Sequence, residues 1–128
     1  MTDKEKFIYE MKKRTKKFAV DVINFCDSLK NKKVSSVVIY QLIKSATSTG
    51  ANYRAACKGR SDREFFSKIC IVIEEVDESE YWLEVIEDAK LSNNEVEGSR
   101  LLKEANELNK IMSKTKDTMY KRLNHSSI

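Results

Sequence analysis

A chain of 128 residues with 41% hydrophobic and 34% charged side chains has enough apolar content for one core, which excludes intrinsic disorder. Proline is absent and glycine occurs only three times, so long helices are expected and an all-β domain is excluded. The net charge of +4 is unevenly spread: residues 1–33 carry +5, residues 34–60 carry +4, residues 61–90 carry −7 and residues 91–128 carry +2.

The first segment places Ile8, Met11, Thr15, Phe18, Val22, Phe25 and Leu29 at alternating steps of three and four, the stripe of an amphipathic helix over residues 3–30. Asn31-Lys32-Lys33 reads as a polar connection, and Ser35 or Ser36 as the cap of a second helix. That helix carries Ile39, Leu42, Ala46, Thr49, Tyr53 and Ala56 on its seam and stops near Gly59. Ser61-Asp62-Arg63-Glu64 has the form of a capping box and starts a third helix with Phe65, Ile69, Val72, Val76, Ser79, Leu83 and Ile86 on its seam. Ser92 or Asn93 would cap a fourth, whose seam is Leu101, Ala105, Leu108, Met112, Thr115 and Met119. Four helices with short connections give an all-α, up-down-up-down four-helix bundle roughly 35–40 Å tall. The bundle is expected to be one domain over residues 1–123, with a loose C-terminal tail at 124–128.

Several chemistries lack their residues. Cys26, Cys57 and Cys70 are odd in number and widely spaced, and His125 is the lone histidine, so no metal site, cofactor or catalytic residue is assigned. Gly50 sits in no phosphate-loop spacing. The acidic row from Glu74 to Asp88 lacks the Glu-x-x-His of bundle di-metal sites. The longest apolar run, Ile69-Cys70-Ile71-Val72-Ile73, falls far short of the roughly 18 residues of a membrane span, and the charged N-terminus has no secretory pattern. No membrane partner is expected, and the expected compartment is the cytoplasm.

The surplus is more informative. Val20 and Ile23, Val37, Val38 and Ile43, and Phe66, Ile71, Ile73, Trp82 and Val85 lie off the seams, which points to self-association. Small residues at 45–51 read as a tight helix contact. Arg54 is expected within about a turn of Glu64, and Lys44 beside Asp77 or Glu78, which leaves a polar register network and an exposed binding patch both open. The basic first half is expected to complement the acidic third helix, with positive potential left over on one surface. Lys12, Lys13, Arg14, Lys16 and Lys17 ring the exposed arc of the first helix, a charge pattern able to neutralise phosphates.

Residues 45–57, with Asn52-Tyr53-Arg54 at their heart, then Arg60-Ser61, Glu64-Phe65, Glu74-Glu75-Val76-Asp77-Glu78-Ser79 and Tyr81-Trp82-Leu83-Glu84 resemble the bacterial four helix bundle protein family. That group is also labelled as ribosomal protein or ribosomal-RNA intervening-sequence protein. The resemblance covers roughly residues 39–88 and implies an up-down bundle that assembles as a homopentamer, without enzyme activity. A relative of the group, the accessory protein of diversity-generating retroelements, is a basic pentameric barrel that binds nucleic acid and a reverse transcriptase. By that similarity Lys12, Lys13, Lys16, Lys17, Arg54, Lys58 and Arg60 are the candidate contacts to RNA or DNA. The acidic third helix and modest net charge depart from a strongly basic barrel. Two functions are therefore carried forward: a homo-oligomeric scaffold for nucleic acid, and an adaptor that recruits a partner protein.

Overall fold

The computed structural model describes residues 1–126, which form four α-helices: α1 (Asp3–Phe25), α2 (Lys32–Cys57), α3 (Asp62–Asp88) and α4 (Glu95–Ser126). Each packs antiparallel on its predecessor, α2–α3 and α3–α4 most extensively, and α1 closes the ring on α4 with the sparsest pairing. The architecture is the expected all-α, up-down-up-down bundle.

The stripes form the core. Phe18, Val22, Leu42, Ala46, Tyr53, Ile69, Val72, Val76, Leu101, Leu108 and Met112 are all but sealed from water, and each large aliphatic or aromatic side chain so buried contributes about 1.5–3 kcal/mol. Of the predicted seams, Ile8, Ile39, Phe65 and Thr115 are half-buried and the others are buried. Among the described residues no buried side-chain nitrogen or oxygen lacks a hydrogen-bond partner, as a stable core demands.

The ends of the helices depart from expectation. A capping box between Thr2 and Glu5 starts α1, which stops at Phe25 and continues only as a 3₁₀ turn, Cys26–Ser28. Asn31 caps α2 from the left-handed region, with φ at 48°, a conformation asparagine tolerates better than most side chains. Ser35 therefore sits inside the helix, buried, its hydroxyl donating to the Lys30 carbonyl. Ser61 caps α3 as predicted, but the Glu64 carboxylate accepts from the Arg60 amide instead of that of Ser61. At α4 the Asn94 side chain accepts from the Glu97 amide, and Ser92 stands back to hold Asn94. The helix passes through Asn124 and His125, and Ser127 and Ile128 of the expected tail lie outside the described residues.

The two connections at that end of the bundle are stitched together. The Lys30 amide donates to Leu91 O at 2.6 Å, the Asn93 amide donates to Ser28 O at 2.9 Å, and the Ser28 and Ser92 hydroxyls meet at 2.8 Å. Among the described residues no helix is long and apolar enough to cross a membrane.

Candidate nucleic-acid interface

The uninterrupted helical periodicity of α1 and α2 determines where their cations point. Thr15 is the level mark: a Cβ on Gly50 would stand 3.4 Å from the carbonyl carbon, carbonyl oxygen and hydroxyl of Thr15. The small-residue run thus serves helix packing, with Gly50 against α1 on one flank and Ser45 against Ser79 of α3 on the other. Because α1 and α2 run antiparallel from this contact, Lys12 is level with the turn of α2 that carries Arg54.

Lys12 and Lys16, one turn apart, edge the α2 flank of α1. Lys12 is half-buried there, and its charge reaches the Cys57 thiol of α2: burial pushes that thiol up, while a hydrogen bond with Tyr53 and the charge of Lys12 pull the other way. Arg54, one turn beyond Gly50, and Lys58, at the C-cap of α2, are exposed, and the helical period from Gly50 puts Arg54 on the α1 side of α2, across the α1–α2 groove from Lys12. Helix α2 contains no Asp or Glu, and α1 has none between Lys12 and Val20. Among the described residues these four cations make no ion pair.

The remaining candidates separate from this group. Lys13 lies on the outer arc with its ammonium 5.5 Å from the centre of the Tyr9 ring, a cation–π distance. Lys17 turns to the α4 flank and bonds Asp21 at 2.6 Å. Arg60 belongs to the α2–α3 turn, at the end of the bundle. Arg14, on the same ring of charge, is spent on structure: it grips Glu104 in a two-pronged bond at 2.7 and 2.8 Å and reaches Glu107 at 3.0 Å. Its pKa is raised, chiefly by the Glu104 bond.

Three expected electrostatic contacts are met only in part or take another form. Of the basic first half, α2 packs on the acidic α3, whereas α1 lies diagonally across from it and, among the described residues, sends its interhelical ion pairs to α4, through Arg14 to Glu104 and Glu107 and through Asp21 to Arg100. Lys44 acts on Glu75, and Glu64 spends its carboxylate on the Arg60 amide instead of on Arg54. Arg54 is left on the exposed face.

The off-seam apolar residues divide. Val38, Ile43, Ile73 and Trp82 pack partly on the core, and Phe66, Ile71 and Val85 are half-buried. Val20, Ile23 and Val37 stay exposed at 47%, 44% and 63%. Tyr40, 63% exposed on the outer side of α2, joins them, so the α1–α2 face has an apolar end and a basic end. Tyr9 and Tyr40 lie off the predicted seams and outside the predicted contacts; the Tyr9-to-Lys13 spacing of four is the one sign of them in the sequence. Among the described residues no group of three His, Cys, Asp or Glu is placed to hold a metal ion.

A family model described as 23S rRNA-intervening sequence protein matches residues 9–114. The fold is similar to a crystal structure of a protein of unknown function from the S23 ribosomal protein family of Bacteroides thetaiotaomicron, with a TM-score of 0.75 and 28% identity, over 86% of this chain and 97% of that one. No curated protein matches the chain.

Proposed function

The chain belongs to the 23S rRNA-intervening sequence protein family, and from that membership we propose a non-enzymatic scaffold, assembled from identical copies, that binds RNA or DNA through the basic end of its α1–α2 face. The observation that carries this reading is the groove edged by Lys12, Lys16, Arg54 and Lys58, four cations with no ion pair among the described residues, on or at the end of carboxylate-free stretches of helix. By contrast Arg14 and Arg100 are held by carboxylates. Lys13, over an exposed tyrosine, extends the surface with an aromatic platform of the kind on which a base stacks. The family's description ties it to rRNA intervening sequences, which favours RNA.

Self-association supplies affinity that one weak patch lacks. The exposed Val20, Ile23, Val37 and Tyr40 are apolar surface for contact between copies, and a closed ring, pentameric by the family resemblance, repeats the basic groove around its axis. The same reading puts the protein in the cytoplasm.

The test is retention of mixed single- and double-stranded RNA and DNA at low salt, followed through a salt titration, with light scattering for the subunit number. Binding that falls steeply with salt, at about 0.9 logarithmic units per phosphate contact on a duplex, is the expected result. Absence of retention at low ionic strength overturns the nucleic-acid reading and leaves the protein adaptor. A monomer at micromolar concentration overturns the ring.

A further inference from the structure

A cleft of about 780 Å³ opens at the end of the bundle where the start of α1, the α2–α3 turn and the last turns of α4 meet. It exists because α1 and α4, the least tightly paired neighbours, leave the core uncovered there. Its floor is continuous with the core: Tyr53 and Ala56 are each 1% exposed and Met119 8%. Half-buried Ile8, Phe65 and Ile111 complete the apolar surface.

The border is of opposite character. Exposed Lys4, Arg60 and Lys114 stand at the opening, with Asp62 and Arg122 beside them, and Asp62 is the one carboxylate among the described lining residues. Asp62 stands 3.8 Å from Arg122, which leaves Lys4, Arg60 and Lys114 with no ion pair among the described residues. The volume is that of a small-molecule site, within the range of about 300–1,000 Å³, and not of a groove running the length of a docked helix. An apolar floor within a rim of net positive charge is complementary to a molecule with a hydrocarbon body and a negative head.

We propose that this cleft binds a single-chain carboxylate amphiphile of the fatty-acid class, its alkyl chain against Ile8, Tyr53, Ile111 and Met119 and its carboxylate among Arg60, Lys114 and Lys4. The site adjoins the α1–α2 groove at Cys57 but uses other cations. Cys57, half-buried in the cleft wall, is a built-in reporter of occupancy.

The experiment titrates the full-length protein with dodecanoate by calorimetry and follows alkylation of Cys57 by peptide mass spectrometry. One dodecanoate per protomer is expected, with Cys57 alkylation slowed at least about fivefold at saturation. Dodecyltrimethylammonium is expected to bind at least about tenfold more weakly, and Lys114→Glu, an exposed change that breaks no ion pair among the described residues, to weaken dodecanoate by about tenfold with an unaltered Tm. Equal binding of the cationic amphiphile, an unaffected Lys114→Glu variant, or undiminished alkylation at saturation overturns the proposal. So does a protein that gives no heat and whose Cys57 resists alkylation without ligand, because a neighbouring copy then fills the cleft.

Discussion

The hydroxyls of Ser45 and Ser79 meet at 2.8 Å between α2 and α3, each all but sealed from water. Each has a second acceptor on its own helix, Ser45 with Leu42 O at 3.1 Å and Ser79 with Glu75 O at 3.0 Å. Two protons serve three bonds, so one hydroxyl donates across the interface while the other donates to its helix carbonyl. The pair favours one register of the two most extensively packed helices, because a slip of one turn would remove the bond between them and leave each hydroxyl only its own-helix carbonyl.

Either Ser45→Ala or Ser79→Ala is expected to cost about 1 kcal/mol, since the surviving hydroxyl keeps its helix carbonyl. The double variant should cost less than the sum of the two. Urea denaturation of the four proteins in a double-mutant cycle measures the coupling. Strict additivity would mean that the interhelical bond contributes nothing.

Gly50 makes a prediction whose sign depends on size. An added Cβ meets Thr15 at 3.4 Å, ordinary contact distance, and alanine recovers helix propensity, so Gly50→Ala is expected to stabilise by up to about 1 kcal/mol. Gly50→Leu drives a branched side chain into the α1 backbone and should cost about 2 kcal/mol or more. Thermal melts of the two variants separate these effects. A loss of stability on Gly50→Ala would show that α1 and α2 approach still more closely.

The seams were legible because burial in a bundle follows a period near 3.6, and Phe18, Leu42, Ile69 and Leu108 fall on it without ambiguity. The helix boundaries were less so. Asn31 and Asn94 cap their helices from within polar runs where several residues offer an oxygen, and only the geometry of the stitched connections selects among them. Periodicity located the cations of α1 relative to the seam, but it did not say which neighbour each flank would meet. Lys17 and Lys16 are adjacent in sequence, yet Asp21 on the α4 side captures one while the other stays on the α2 side. That division rests on α1 being diagonal to α3, a property of bundle order that local pattern does not contain. Likewise the cleft at the bundle end follows from the thin α1–α4 pairing and has no counterpart in any single helix.

Glu75 gives a dependence on pH that opposes the usual acid unfolding. Burial raises its carboxyl pKa, the charge of Glu78 and more weakly Glu74 adds to this, and Lys44 offsets only part. A raised folded-state pKa means the ionised group opposes folding above its ordinary range and stops doing so as pH falls through the folded value. Glu75→Gln should therefore raise the Tm near pH 7 and leave it unchanged near pH 3, where the carboxyl is protonated in both states. Asp21 has the opposite sign. Burial raises its carboxyl, but bonds from Lys17 and Arg100 outweigh that and hold it below its ordinary value. Its stabilisation is present above that ordinary value and is lost as pH falls further, so Asp21→Asn should shallow the acid limb of the Tm profile. Melts across the acid range test both signs, and a Glu75→Gln protein less stable than the parent at neutral pH would refute the first.

The division of cations on α1 yields the sharpest test of nucleic-acid binding. Lys12→Glu with Lys16→Glu reverses two charges in the groove shared with Arg54, and each lost phosphate contact should lower the salt slope by about 0.9 on duplex ligands. The pair is therefore expected to reduce affinity by about tenfold or more at low salt and the slope by roughly two. Lys17→Glu changes net charge by half as much but lies on the α4 flank, already engaged by Asp21. Its expected effect is a small loss of binding together with a lower Tm from repulsion at Asp21. Anisotropy titrations at several salt concentrations compare them, with Arg54→Glu as a second groove variant. If loss of affinity follows net charge alone, so that Lys17→Glu falls on one line with the groove variants, then the protein attracts polyanions by its overall field and the α1–α2 groove is not the interface.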